Sequence, residues 1–265
     1  MRVGVLPDSS STTSWTAPLW PPVLAARGAG GSSSGHAHHA LHLVVVRPLG
    51  QQLRCRVEVD GHSVEHRARG IIVGADVVHA IDAVGCDVLL VFFDPESDVG
   101  SVLARGLVGP VRVVDDAVCA ALADEDPFAI MSDAHTFGAR LQALLGMPAG
   151  DVRVVHPGVR RALAHLKSLD VDDDASLAAL AAVAGVSTGR FMHVFTASVG
   201  VPLRSYVLWL KLQRAAALLA RGAAVTEAAH AAGFADGAHL TRSFWRMFGM
   251  RPSDIVAAMT TPAST

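Results

Sequence analysis

One pattern occurs twice between Leu177 and Gly249, and it restricts the fold more than any bulk property of the chain. The first copy runs Leu177, Leu180, Ala181, Ala184, Gly185, Val186, Ser187, Phe191, Val194, Phe195, Gly200. The second runs Val225, Ala228, Ala229, Ala232, Gly233, Phe234, Asp236, Leu240, Phe244, Phe248, Gly249. Apolar residues at helical spacing make one buried stripe, small alanines let a second helix cross closely, and glycine supplies the left-handed turn between them. Each copy therefore reads as a helix-turn-helix corner, with Ser187 and Asp236 as helix N-caps. The offset is 48 residues at Gly185/Gly233 and 49 at Gly200/Gly249, so one residue is added within the second turn or helix. A single Ala-rich corner would fit an ordinary helical bundle, but two in register point to a repeated unit.

The run from Gly233 through Phe234, Asp236, Leu240, Arg242, Phe244 and Phe248 to Gly249, followed by Arg251-Pro252-Ser253, resembles the signature of the AraC-type transcription regulators. The resemblance spans about 100 residues, from roughly His156 to Met259. It implies a carboxy-terminal domain of two helix-turn-helix units joined by a long helix, and hence a sequence-specific DNA-binding transcription regulator. The expected partners are double-stranded DNA, a small-molecule effector and, for an activator, RNA polymerase.

Geometry then selects the readers. The second helix of each corner, about Thr188 to Val199 and Gly237 to Phe248, is the one suited to the major groove. Removing its buried stripe leaves Thr188, Arg190, Met192, His193 and Thr196 on the first, with Thr241, Arg242 and Arg246 on the second, as candidate DNA-binding residues. Arg242 matches the recurring Arg of the family, whereas His193 replaces it in the first copy. The alternative for Arg190 and Arg246 is a solvated helix face. Gly237 and Ala238 have nothing to reach with, which assigns the second helix more to positioning than to reading. Pro202 opens a connecting helix, Leu203 to Arg221, about 28 Å long at 1.5 Å per residue, near one turn of duplex. Tyr206 and Trp209 are its large core residues.

Charge agrees with this division. The net charge is −2, but residues 157–265 hold 11 Lys and Arg against 7 Asp and Glu, while residues 1–156 hold 11 against 17. The basic half is the half with the repeated corner, as a phosphate-facing surface requires. Cys55, Cys86 and Cys119 are odd in number and in no metal-type spacing, which reads as buried thiols in a reducing compartment. No apolar run approaches the roughly 18 residues of a membrane span, and the amino terminus lacks a secretory core, so no membrane association and a cytoplasmic location are expected.

The amino-terminal half alternates like an antiparallel sheet: Trp15 to Ala26, Leu41 to Arg47, Gln52 to Val59, a turn at Asp60-Gly61, Ser63 to Arg67, Ile71 to Val73 and Val88 to Phe93. Such short strands predict a small barrel or sandwich. The segments His36 to His42, Gly74 to His79 and Phe93 to Ser97 resemble the cupin-like sensor domain of many AraC-type regulators. That resemblance places His36, His38, His42 and His79 as candidate ligands of a divalent first-row metal, since neutral imidazole suits such ions. The alternative is an empty or organic-ligand pocket, with His39 partly exposed on the opposite face. Short helices are expected over Val102 to Leu107 and Val118 to Leu122, and a longer one over Pro127 to Leu145. Phe128, Met131, Phe137, Leu141 and Leu144 would either form a homodimer contact or pack on the barrel.

The expected fold is α+β: a cupin-like effector-binding β-barrel over residues 1–125, a helical linker region over 126–156, and a DNA-binding domain over 157–265. The competing function is a metal-dependent cupin enzyme with a helical appendage, using Glu58 or Glu65 as acid or base.

Overall fold

Strict alternation shapes the sheets. In the computed structural model, which describes residues 2–3, 23–47, 50–147, 154–170 and 173–254, the first strands are β1 (Arg2–Val3), β2 (Val23–Ala29) and β3 (Leu41–Arg47). The next are β4 (Leu53–Val59), β5 (His62–Ala68), β6 (Gly70–Val73), β7 (His79–Asp82) and β8 (Asp87–Phe93). On β4, Leu53, Cys55 and Val57 are buried while Arg54, Arg56 and Glu58 are exposed. That is the pattern of a strand with one face on a core. The β4–β5 hairpin turns through Asp60 and Gly61, both at positive φ, as a two-residue hairpin requires.

After β8 come α1 (Asp98–Gly106), β9 (Val111–Val114), α2 (Asp116–Leu122), α3 (Pro127–Ser132) and α4 (Ala134–Leu144). The strands form two antiparallel sheets, ordered β1-β2-β8-β3-β6-β9 and β5-β4-β7. They remain open, so the barrel expected from the sequence is a two-sheet sandwich. Strand β3 is buried on both faces. Leu41, Leu43 and Val45 pack under α1–α4 with Phe137 and Leu141, whereas Val44 and Val46 face Leu53, Cys55 and Val57 of the smaller sheet.

One expectation changes here. The helix expected from Pro127 to Leu145 is broken at Asp133, whose carboxylate caps α4 by accepting the Thr136 amide. Phe137 and Leu141 are buried in the protomer core, with Met131 and Leu144 partly buried against it, which is the packing the sequence offered as the alternative to a homodimer contact. The side chain of Phe128, and the segment from Trp15 to Pro22, lie outside the described residues, as does most of the expected connection from Gly150 to His156. The three cysteines are buried and unbridged.

The helical domain holds α5 (Pro157–Ser168), α6 (Leu177–Ala184), α7 (Thr188–Val199), α8 (Leu203–Ala220), α9 (Val225–Ala231) and α10 (Gly237–Phe248). Helices α6 and α7 meet at 79°. Gly185 at φ 71° ends α6, and Ser187 caps α7 through the Arg190 amide. In the second corner Gly233 makes the same turn and Asp236 caps α10 through the His239 amide at 2.6 Å. Both second helices have 12 residues, and the gap from the glycine is one residue longer in the second copy. The added residue is therefore in the turn.

Helix α8 serves two cores. Tyr206 and Trp209 pack with Phe191, Phe195 and Leu180 of the first corner, and Leu212, Ala215 and Leu219 with Leu240 and Phe244 of the second. Lys211 donates to the Gly233 carbonyl at 2.8 Å and so ties the middle of α8 to the second turn. Among the described residues no single helix is long and apolar enough to cross a membrane.

Candidate nucleic-acid interface and the cavity behind it

The two reader helices divide as their apolar period requires. On α7, Phe191, Val194, Phe195, Ser198 and Val199 are buried, and Thr188, Arg190, Met192, His193 and Thr196 are exposed. On α10, Leu240, Ser243 and Phe244 are buried while Arg242, Trp245 and Arg246 are exposed. Thr241 departs from expectation. Its hydroxyl donates to the Gly237 carbonyl at 2.7 Å and it is only half exposed, so its oxygen is engaged within the helix. Met192 and Trp245 are large apolar groups left about half exposed on these helices, suited to thymine methyls and sugar edges.

Behind the second corner lies a cavity of about 500 Å³. Its walls come from the sandwich (Leu24, Ala26, Val44, Val88, Leu90, Phe92) and from the helical domain (Ala216, Ala217, Phe244, Phe248, Met250). The open mouth of the sandwich is thus closed by α8 and α10. Among the described residues no Lys or Arg lines it, and Asp254 is the single acidic one.

At one wall stand His36, His38 and His42, with His79 against the His36 ring; all four histidines expected as metal ligands are buried. Three of them converge: the nitrogens of His36, His38 and His79 lie within 4.8 Å of one another. Reciprocal backbone hydrogen bonds between His36 and His79, at 2.9 and 2.8 Å, bring their rings to 4.2 Å. His42 has a different position. Its Nδ1 lies 2.8 Å from Nε2 of His38, making it a hydrogen-bond partner of a candidate ligand. Burial, then mutual repulsion among the rings, holds His38 and His42 well below the usual imidazole range and His79 down to about 4, so the cluster is neutral at pH 7.

His39 corrects the expectation of partial exposure: it is buried and at the centre of a polar network between the two domains. Its Nε2 is 3.1 Å from a Glu96 carboxylate oxygen, and its Nδ1 is 3.8 Å from Asp76. Burial lowers its pKa, but the neighbouring carboxylates of Asp76, Glu96 and Asp94 outweigh this and raise it to about 9. Tyr206 of α8 donates to Glu96 at 2.7 Å, Trp209 to Asp94 at 3.3 Å, and Lys167 of α5 to Asp94 at 3.2 Å. Asp94 and Glu96 follow β8 and are almost fully buried. The sequence presents them as an acidic turn, and only Pro95 and the N-cap Ser97 hint at a fixed conformation.

Two exposed reader helices on one rod, backed by a ligand-sized cavity shared with a β-sandwich, define a DNA-binding regulator. Residues 180–258 match the family model described as a helix-turn-helix domain. The match makes these residues a helix-turn-helix domain, and DNA-binding transcription regulation is the role it supports for the chain. Over nearly its whole length it has the fold of ToxT from Vibrio cholerae O395, at 11% identity and a TM-score of 0.56, covering 90% of this chain and 97% of that one. The unsaturated fatty acid bound wild-type ToxT from Vibrio cholerae strain SCE256 gives 11% identity and 0.57, covering 92% and 98%. An AraC-type DNA-binding domain protein from Chromobacterium violaceum matches 40% of this chain and 96% of its own, at 24% identity and 0.38. No curated protein sequence matches the chain.

Proposed function

We propose that this regulator is effector-responsive and that the effector is an apolar small molecule held in the cavity between the sandwich and the second corner. The observation that carries this reading is that Phe244 and Phe248, on the inner face of a reader helix, line the same cavity as Leu90 and Phe92 of the sandwich. A molecule that fills it touches both domains, which is the differential contact a ligand needs to shift a conformational equilibrium. The structure of ToxT with a bound unsaturated fatty acid supports a lipid-like occupant for this fold. Among the described residues the lining offers no cation, which favours a neutral apolar group over a free carboxylate in the metal-free chain.

The reading as a metal-dependent enzyme has less support. Glu58 and Glu65, its expected acid and base, are exposed on the strands of the smaller sheet, and Glu65 pairs with Arg67. For contact with RNA polymerase, the support is the AraC-type resemblance alone.

The test uses operator fragments recovered by genomic footprinting. Their affinity for the full chain is measured by fluorescence anisotropy with an unsaturated fatty acid and with its methyl ester. The expected result is a shift in operator affinity, larger for the ester, and an equal reciprocal shift in ester affinity when operator is added. Operator affinity that ignores both probes would count against a lipid-like effector.

A further inference from the structure

We propose that His36, His38 and His79 form a binding site for one divalent first-row metal ion, zinc being the reference case, set into the seam between the sandwich and the second corner. The rings are already oriented for it. His36 Nδ1 lies 2.8 Å from the Ser34 carbonyl, His38 Nδ1 2.9 Å from that of Ala40, and His79 Nδ1 2.8 Å from that of Val77. A carbonyl can only accept, so each Nδ1 carries the proton and each Nε2 presents a lone pair. This is the outer arrangement that fixes the tautomer of metal-binding histidines. One ring nitrogen from each of the three residues lies within 4.8 Å of the other two, and imidazole nitrogens on buried neutral rings match the donor set of zinc and its neighbours.

The second observation is an orphaned atom. Among the described residues His79 Nε2 is buried without a hydrogen-bond partner, and so is His42 Nε2. Buried polar atoms of this kind call for an occupant. His38 Nε2 instead accepts from His42 Nδ1 at 2.8 Å. His42 is therefore the partner that an arriving ion displaces from His38, and the site has three protein ligands in place of the four expected from the sequence. His36 and His38 also line the cavity, which leaves a fourth coordination position open towards it. On the reading of an effector-filled cavity, an ion there supplies the positive charge that the lining lacks and can hold an acidic head group.

The position of the site ties it to DNA binding. His38 stacks on Trp209 of α8, with centroids 5.8 Å apart, and lies 6.3 Å from Phe248 of α10. Ser34, whose carbonyl fixes His36, donates its amide and its hydroxyl to Gly249 at the end of α10. Drawing His36 onto an ion thus acts on the residue that seats the reader helix.

The test titrates chelator-treated full-length protein with zinc against a chromophoric competitor, and with cobalt(II) to read coordination from its visible absorption. One equivalent per chain and an intense tetrahedral cobalt spectrum are expected. His36→Ala, His38→Ala and His79→Ala should each weaken zinc by more than about 100-fold, beyond the 10- to 100-fold cost of losing an outer-shell partner, whereas His42→Ala should bind as well or better. The cobalt spectrum of the unaltered chain keeps the test valid if a variant fails to fold. Absence of saturable one-to-one binding, or zinc affinity unmoved by His79→Ala, overturns the site; loss on His42→Ala overturns the three-ligand assignment. Operator affinity identical with and without bound zinc overturns the coupling while leaving the cavity reading standing.

Discussion

Ser34 donates twice to the carbonyl of Gly249, from its amide at 2.9 Å and its hydroxyl at 3.1 Å, joining loop and reader helix across 215 residues of sequence. Gly249 ends α10 at φ 64°, and a Cβ there would collide with the Ser34 carbonyl oxygen and lie 2.6 Å from His36 Nδ1. Gly249→Ala is therefore expected to lift the end of α10 from the sandwich, seen as faster amide hydrogen exchange across α10. Ser34→Ala should give a milder form, losing about 1 kcal/mol. Unchanged exchange in Gly249→Ala would show that this contact does not hold the corner.

Asp94 is 3% exposed and its charge is met by the Lys167 ammonium, with Glu96 close by as a second negative group. Lys167→Met should destabilise the chain by about 3–5 kcal/mol, because it leaves a buried carboxylate without its cation. Adding Asp94→Asn to that variant should recover most of the loss. Urea unfolding of the four forms in a double-mutant cycle measures this, and additive effects would mean that the two groups act independently.

Stability of the metal-free protein should peak near pH 6.5 to 7. His39 has its folded pKa raised to about 9, so its contribution is complete below the unfolded value of 6.5 and is lost as pH rises through 9. His79 is lowered to about 4 by burial and then by His36, so the unfolded chain binds more protons between pH 6.5 and 4 and stability falls as the solution is acidified. Glu96 is held below its usual value, burial being outweighed by His39, and adds to the acid limb as pH drops through its folded pKa. Thermal midpoints across pH 4 to 10 should show both limbs. His39→Gln should flatten the alkaline limb and remove the share of the acid limb that Glu96 owes to His39, and an unaltered alkaline limb would remove His39 from that role.

Arg242 is exposed on α10 and Phe244 beside it is fully buried. Arg242→Ala should weaken operator binding by about 1–3 kcal/mol with little change in thermal midpoint. Phe244→Ala should cost about 3–5 kcal/mol of stability and abolish the second corner. Two variants that both bind operator normally would show that this corner is not a reader.

The corners were legible because each of their determinants is local: a 3.6-residue apolar stripe, a glycine at positive φ and a capping side chain two or three residues later. Position within the helix then told exposed Arg190 and Arg242 from buried Phe191 and Phe244. The sandwich was legible from alternation on β4, but β9 was not, since Val111–Val114 is too short for a period to show. The interdomain network was hidden for a different reason. Asp94 and Glu96 look like any acidic turn, and their burial is produced by Lys167, Tyr206 and Trp209, which lie 73 to 115 residues away. His42 was likewise grouped with the ligands by spacing, and only the register of β3 turns it towards His38.

Among the described residues, the opening in which the sheets end is stopped by α8 and α10. A fragment cut off before Pro157 would expose Phe92 and the imidazoles beside it to water, and its throat would be as greasy as any surface that proteins glue themselves together with. The two halves thus fit as a matched pair: grafting a foreign strand-rich half onto these helices would require a new stopper for its opening.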